Sequence, residues 1–535
     1  MFLLLYGRYS LDLANPNWIY NQGGDLFQHQ IGWEWFRQEA WQFPLGRIAS
    51  YGYPLGTNIS FTDSIPLLAL PLKLLSPLLP AHFQYLGAWE LLSVVAQMMV
   101  GMAILGLFTR SSVMRLLGAS VLVLSPPMLK RAFGHDALTA QWILLAGFWF
   151  IFLAIRHRLW RGAWPVLFVA ALLVHPYFVA MLLPLWAIGI VVIFTEERHR
   201  RLLIAEVLAV PVVLLIEGYC LGLFSVGLSS LQGPGFGNFS WNLNGFVNSR
   251  GTSAILPPLE SGTPGQVEGY SYLGLGNMLM IPIAAILFMV RDRSRFRWRL
   301  LAAFAAADIV YALFALSNRA YIGNHALWAF DLPDSVAQLV GLFRASGRFI
   351  WPVFYCVVLF GLITLVRNLP RATALVGLVL VLQLVDLRPL YTSKPPRAEA
   401  AVYTSQLKAP FWDALAGTSR HMILIPTGLG ATRVYQPMTL YARDHQLTLN
   451  TGYFSRADYA AIEAYANDAW EDLLAGHADP QTIYVFFGPE WTDLAKTRLS
   501  GKAVICEVDG YSVVLSPANR ITQSGFDLGA YCSRP

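Results

Sequence analysis

The chain has 535 residues, 56% of them hydrophobic and only 13% charged, and its mean hydropathy is +0.49. That composition excludes an ordinary soluble globular protein and describes a chain whose surface largely meets lipid. The net charge of +6 does not argue for nucleic acid, because the basic residues fall in short clusters between apolar runs, where they act as topology signals.

The opening run MFLLLYG is far too short to cross about 30 Å of hydrocarbon. It reads as the end of a first membrane helix whose beginning is absent, since a signal peptide would need a basic n-region and a small-residue cleavage site. Residues 8–64 follow as a predicted water-facing outer loop, in which Asp25, His29, Glu34, Arg37 and Asp63 lie among Trp33, Trp35, Trp41, Tyr51 and Tyr53. Acids mixed with flat aromatic rings suit a sugar. Asp25, in Gly23-Gly24-Asp25, reads either as a general base that takes a proton from an acceptor hydroxyl or as the N-cap of a helix through LFQHQIGWEWFRQ. Asp63 likewise reads as a substrate-orienting acid or as the N-cap of the segment beginning at Pro66. That segment, Ile65 to Pro80, carries Pro66, Pro71, Pro77, Pro80 and Lys73, and reads as amphipathic and non-spanning.

A window of roughly 19 residues finds apolar spans near 82–108, 113–129, 137–155, 163–174, 177–195, 202–225, 277–291, 299–317, 348–366 and 372–388. Arginine clusters follow every other span: Arg110 and Arg115; Arg156, Arg158 and Arg161; Arg198, Arg200 and Arg201; Arg291 through Arg299; Arg367 and Arg371. Placing all five in the cytoplasm puts residues 8–64, 130–136, 175–176, 226–276, 318–347 and everything beyond 389 on the opposite side.

Polar residues at the outer ends of membrane helices are costly and therefore point to function. Lys130, Arg131 and His135 crowd one short outer turn against the topology bias, which calls for an anion such as a lipid phosphate or for headgroup anchoring by snorkelling side chains. Arg344 and Arg348 flank small residues before the next span. If helical they share one face, and they would take phosphate or a salt bridge to a nearby acid. His175 in LLVHPYF reads as a packing histidine or a substrate contact, and Glu217 should face the interior, paired or protonated. The outer loop 226–276, with Trp241, Asn242, Arg250, Glu260 and Glu268, is long enough for a lid, an acceptor-binding loop or a linker.

After Asp386 the composition becomes that of a soluble domain. HMILIPTG, TIYVFFGP, AVICEVDG and YSVVLSP read as strands, DYAAIEAYANDAWEDLLAG and EWTDLAKTRLS as helices, and Asp509-Gly510 as a two-residue hairpin turn. The predicted organisation is a membrane domain, residues 1–388, and an outer α/β cap, residues 389–535. Cys220 and Cys356 fall in apolar spans; Cys506 and Cys532 share the cap, where an oxidising compartment permits a disulfide. No P-loop, HExxH, CxxC pair or GxSxG is present, which removes most support for ATP-driven or zinc-dependent chemistry.

An acid directly after helix one in a long first loop, Tyr53-Pro54-Leu55-Gly56 before an interfacial segment, His175-Pro176-Tyr177 and a C-terminal α/β cap together resemble the GT-C superfamily of membrane glycosyltransferases. The strings FTDSIP, GHDAL and FRASGRFIWP resemble an uncharacterised bacterial inner-membrane group of that type. The resemblance covers nearly the whole chain through motifs of moderate specificity. It implies a polytopic α-helical protein of about ten to eleven spans with a periplasmic C-terminal domain, acting as an inverting transferase on a polyprenyl-phosphate sugar and a periplasmic glycan or lipid acceptor. Carried over, the base falls on Asp25. Lys130, Arg131, His135, Arg344 and Arg348 become candidates for the lipid phosphate, and Asp63, His29, Tyr53, His175, Arg250 and Glu268 candidates for substrate binding. The first loop lacks a paired Asp-x-Asp, so no metal and no other cofactor is expected. Expected partners are the lipid-linked sugar, its acceptor and membrane lipids, with no nucleic acid. Two other classes compete: a transporter or flippase of a lipid-linked saccharide, which would need polar groups deep in the membrane and paired repeats, and a non-catalytic glycan-assembly subunit.

Overall fold

The computed structural model describes residues 2–132, 134–160, 162–194, 200–227, 235–292, 298–392, 402–428 and 435–533. Arg161, Arg198, Arg293, Arg295 and Arg297 of the predicted basic clusters lie outside the described residues. The chain is mostly helical and divides into two compact units.

The first unit comprises Met1–Asn15, Gln84–Gly218 and Leu231–Glu399. Among the described residues, five helical segments are long and apolar enough to cross a membrane: Leu86–Gly106, Asp136–Ile155, Ile204–Leu221, Trp298–Leu316 and Ser346–Asn368. Shorter apolar helices are Ser112–Val123, Ala163–Val174, Pro176–Val192, Leu275–Arg291 and Ala372–Asp386. Every apolar run found in the sequence falls on one of these helices, but a 12-residue helix such as Ser112–Val123 reaches only about 18 Å.

Proline explains two of the breaks. The residue before a proline is pushed out of the helical region by the pyrrolidine ring, and Ser125, before Pro126, has ψ 114° while His175, before Pro176, has φ −168° and ψ 132°. One break starts the short helix Pro126–Arg131, which carries Lys130 and Arg131; the other holds His175 in extended backbone between two helices.

The second unit comprises Pro16–Phe83, Tyr219–Ser230 and Ala400–Pro535. Its sheet has strands β1 (His421–Ile425), β2 (Thr448–Leu449), β3 (Thr482–Phe486), β4 (Val504–Val508), β5 (Tyr511–Leu515) and β6 (Cys532–Ser533), in the order β6-β4-β5-β3-β1-β2. β1 is parallel to both β2 and β3, and the remaining pairings are antiparallel. β3 is buried at every position, as expected for an inner strand covered on both faces. Ile423, Ile425, Trp470, Leu473, Phe486 and Val514 pack into one core. The β4–β5 turn is the expected Asp509-Gly510, with both residues at positive φ, 50° and 84°. Cys506 is disulfide-bonded to Cys532 at the facing register position of β6.

The stretch expected to be a water-facing loop is largely buried. Helix α1 (Gly24–Gln38) buries His29, Trp33, Glu34 and Trp35. Beyond it, Tyr51 pairs in parallel with Leu449, extending the sheet past β2: the Leu449 amide donates to Ser50 O and the Gly52 amide donates to Leu449 O, both at 2.8 Å. Trp35 stacks on Tyr51 with ring centroids 5.1 Å apart, and the Tyr51 hydroxyl bonds that of Tyr435. These rings are spent on packing. Helix α2 (Pro66–Leu74) is short, with Pro71 inside it. Lys73 lies 3.9 Å from the Phe36 ring centroid and 4.7 Å from that of Trp41, close enough for both ring faces to attract the ammonium.

A buried ion pair also holds α1 to α3 (Tyr435–Asp444). Arg443 pairs with Glu34, whose Oε1 accepts from Tyr20 Oη and, at 2.8 Å, from Gln30 Nε2. Both charged side chains are at most 5% exposed. Removing one partner of such a pair strands the other charge, at a cost of about 3–5 kcal/mol, whereas an apolar pair of similar volume is often neutral. Glu34→Leu alone should therefore destabilise the full chain by about that amount, and adding Arg443→Met should restore most of the loss in thermal unfolding of the purified protein.

Candidate functional site

The residues singled out in the sequence divide between the two units. In the first unit, Arg131, Arg348 and Glu268 meet. Glu268 belongs to the 3-10 turn Pro264–Gly269, and Arg348 to the turn Ser346–Phe349 that leads into the helix Ile350–Asn368. Arg348 Nε donates to Glu268 Oε2 at 2.7 Å, Arg131 Nη2 lies 3.0 Å from the same oxygen, and Arg131 Nη2 also donates to the Glu268 carbonyl at 3.1 Å. Two glycines permit the approach: a Cβ on Gly347 would sit 2.8 Å from Gly269 Cα, and one on Gly269 would sit 3.2 Å from Gly347 Cα.

Aromatic rings set the two guanidiniums, whose flat cations are drawn to ring faces. Arg131 lies over Trp351 at 5.3 Å and Arg348 over Tyr177 at 4.7 Å. The Tyr177 hydroxyl accepts from the Ala345 amide at 2.9 Å. His175 Nδ1 accepts from the Tyr177 amide at 3.2 Å. That bond leaves Nε2 as the nitrogen that carries the proton in the neutral ring. The His135 ring stands edge-on to His175, centroids 5.2 Å apart. Burial of Lys130, then the nearby charges of Arg131 and Arg250, push its ammonium below the usual lysine value. Arg250 Nη1 donates to Ser261 Oγ at 2.9 Å. Two arginines from separate stretches at the predicted outer ends of spans thus meet on one carboxylate, and the trio of two arginines and one glutamate keeps an excess positive charge.

Arg344 is not part of this trio. The helix Asp334–Gly341 ends before it, and Arg344 lies in irregular backbone ahead of the turn Ser346–Phe349. The shared helical face expected for Arg344 and Arg348 therefore does not form, and Arg344 sits 5.8 Å from the Phe239 ring.

In the second unit, Asp25 occupies the first turn of α1, where the helix dipole favours a carboxylate. The N-cap is Gly23, at φ 69°, so the capping reading of Asp25 is corrected. Asp25 is partly exposed, and its Oδ1 accepts from the Tyr453 hydroxyl at 2.8 Å. His29, one turn further along α1, is fully buried and has a ring nitrogen within 4.8 Å of a carboxylate oxygen of Asp63. Gly32 makes this possible, because a Cβ there would stand 2.2 Å from Thr62 Oγ1; the Ser64 hydroxyl donates to His29 O at 2.6 Å. Asp63, at φ 53°, does not cap α2, whose N-cap is Ile65. Tyr53 stacks on His421 with centroids 5.1 Å apart and meets Tyr465 edge-on.

Sequence reading missed Tyr453 and Tyr177 as partners of Asp25 and Arg348. Tyr453 is 428 residues from Asp25, and no local spacing could join them; Tyr177 stood within the quoted His-Pro-Tyr step. Glu268, a substrate-binding candidate in the sequence, is paired with both Arg131 and Arg348.

A family model described as Domain of unknown function (DUF6311) matches residues 1–388, and one described as the DUF6311 C-terminal domain matches residues 411–516. The chain belongs to the DUF6311 family. No curated protein matches it in sequence. Among solved structures, this DUF6311 chain is similar to the arabinofuranosyltransferase AftD from Mycobacteria (14% identity, TM-score 0.44), over 88% of this chain and 35% of that one. It is also similar to the oligosaccharyltransferase AglB from Archaeoglobus fulgidus in complex with an inhibitory peptide and a dolichol-phosphate (11% identity, TM-score 0.39), over 96% of this chain and 74% of that one. The chain spans about a third of the length of the arabinofuranosyltransferase.

Burial alone would raise the Glu268 carboxyl, but Arg131 and Arg348 outweigh it and bring it from 4.5 to about 2. A carboxylate depressed on folding stabilises the native state above its unfolded pKa, and that contribution disappears as pH falls through the folded value. Glu268→Gln should accordingly lose about 3 kcal/mol at pH 7, from the 1.36 kcal/mol per pKa unit. Thermal unfolding of variant and wild type should converge as the pH drops from about 4.3 towards 2.

Proposed function

We propose that this DUF6311 chain is an inverting GT-C-type membrane glycosyltransferase with ten or eleven spans, seated in the bacterial inner membrane with its C-terminal α/β domain on the periplasmic side. In this reading residues 1–388 form the membrane domain and residues 389–535 the cap. It transfers a sugar from a polyprenyl phosphate to a periplasmic glycan or lipid acceptor. The observation that carries the reading is the pair of buried arginines, Arg131 and Arg348, held on Glu268 beside Lys130. Arginine presents a planar fork matched to phosphate oxygens, and a site with surplus positive charge near a membrane boundary suits a lipid phosphate.

The chemistry follows from the groups present. In an inverting transfer the acceptor hydroxyl attacks the anomeric carbon and gives up its proton, while the bond from that carbon to the phosphate oxygen breaks with the electron pair going to the phosphate. Asp25 of the second unit is the candidate for the base, and Arg131, Arg348 and Lys130 of the first unit are the candidates for balancing the charge on a leaving phosphate. The Tyr453 hydroxyl orients the Asp25 carboxylate through its hydrogen bond, and the first turn of α1 favours the ionised form that can accept a proton. Tyr177 sets Arg348, with His175 and then His135 packed next to it, while Asp63, His29, Tyr53, Arg250 and Arg344 are candidate contacts to sugar or acceptor. A lipid carrier also suits a compartment without nucleotide sugars.

Radiolabelled transfer from a polyprenyl-phosphate sugar into lipid or glycan extracts tests the assignment. Asp25→Asn should lower transfer by about 10²–10⁴-fold, the usual contribution of a general base, while leaving donor binding intact. Arg348→Gln should weaken donor binding instead. Transfer that survives Asp25→Asn would remove the base assignment, and movement of intact carrier across vesicles without sugar transfer would favour a flippase.

A further inference from the structure

A second charged collar lies at the far end of the helix that starts at the arginine–glutamate trio. Arg348 lies two residues before Ile350–Asn368, whose last turn carries Arg367; its 19 residues separate the two by about 29 Å. At that far end opens a cavity of about 310 Å³. Its walls come from three helices and the residue Phe108: Phe148 and Phe152 from Trp142–Ile155, Phe304 from Trp298–Leu316, and Phe360 from Ile350–Asn368. Phe148 and Phe304 stack 14° from parallel with centroids 6.0 Å apart, and Phe152 meets Phe108 edge-on at 5.4 Å.

Among the described residues that line it, the charged groups are Arg156 and Arg367, both exposed, and the other polar ones are Thr364 and Cys356, whose thiol bonds the neighbouring Asp308. Arg156 lies over the Phe108 ring at 5.3 Å, a stacking that uses the face of the guanidinium and leaves its N–H edge for an anion. An apolar slot capped by two cations is complementary to an amphiphile with one anionic head and a hydrocarbon tail.

We propose that this cavity is a binding site for an anionic glycerophospholipid, with one acyl chain between Phe148, Phe152, Phe304 and Phe360 and the phosphate between Arg156 and Arg367. The arginine clusters mark this end as the cytoplasmic one on the positive-inside reading, and basic pockets between helices at that leaflet take phospholipid headgroups. The site is separate from the trio around Glu268 and does not depend on the transferase reading. Lipid in the slot would clamp the cytoplasmic ends of three helices whose opposite ends carry or adjoin the outer cluster.

Native mass spectrometry of the full chain in detergent, titrated with phosphatidylglycerol or phosphatidylcholine, reads the site, and a phosphatidylglycerol with a photoreactive acyl chain locates it. Wild type should retain phosphatidylglycerol over phosphatidylcholine and crosslink at peptides containing Phe304 or Phe360. Arg156→Gln and Arg367→Gln, both at exposed positions, should each weaken retention roughly fivefold and the double variant more than tenfold. Equal retention of the two lipids, retention unchanged in the double variant, crosslinks confined to other helices, or displacement of phosphatidylglycerol by an equimolar polyprenyl phosphate would each overturn the proposal.

Discussion

Hydrocarbon cannot solvate charge, and this constraint orders the first unit. A membrane chain must place its charged residues at helix ends or neutralise them among themselves. Here both solutions occur. Arg156 and Arg367 remain exposed at one end of the helices, while Arg131 and Arg348 are buried at the other and need Glu268 as counter-ion. The contrast separates an exposed collar from a buried, paired cluster. Exposed arginines after apolar spans are common, whereas two guanidiniums sharing one carboxylate, each laid on an aromatic ring, require four segments to agree in position.

The second unit solves a different problem with similar chemistry. Segments 16–83 and 400–535 are remote in sequence, yet Arg443 reaches Glu34, Tyr435 meets Tyr51, and Leu449 pairs with Tyr51 along the sheet edge. Burying a charge this deeply is tolerated only with a complete set of partners, and Tyr20 and Gln30 supply the remaining hydrogen bonds to Glu34. Asp25 is therefore mounted on a helix that packing immobilises on most of its sides.

Glycine and proline set the local geometry in both units. Pre-proline breaks at Ser125 and His175 end helices short of the bilayer's thickness and turn polar residues into the resulting gaps. Gly269 and Gly347 let two turns approach closely enough for Glu268 and Arg348 to bond, and Gly32 does the same for α1 and the Thr62–Ser64 segment.

Hydropathy and breaker residues in the sequence were sufficient to locate the helices of the first unit, the strands of the C-terminal sheet and its Asp-Gly turn, because each depends on a period or a dihedral preference carried by neighbouring residues. The same local signals singled out Asp25, Arg131, Glu268 and Arg348 as expensive or unusual. Tertiary structure alone decided their partners. Opposite charges, aromatic faces and close glycine contacts act through space between residues up to hundreds of positions apart, so no spacing along the chain could tell that Glu268 ties two arginines, that Tyr453 reaches Asp25, or that the supposed sugar platform of Trp35 and Tyr51 is interior packing.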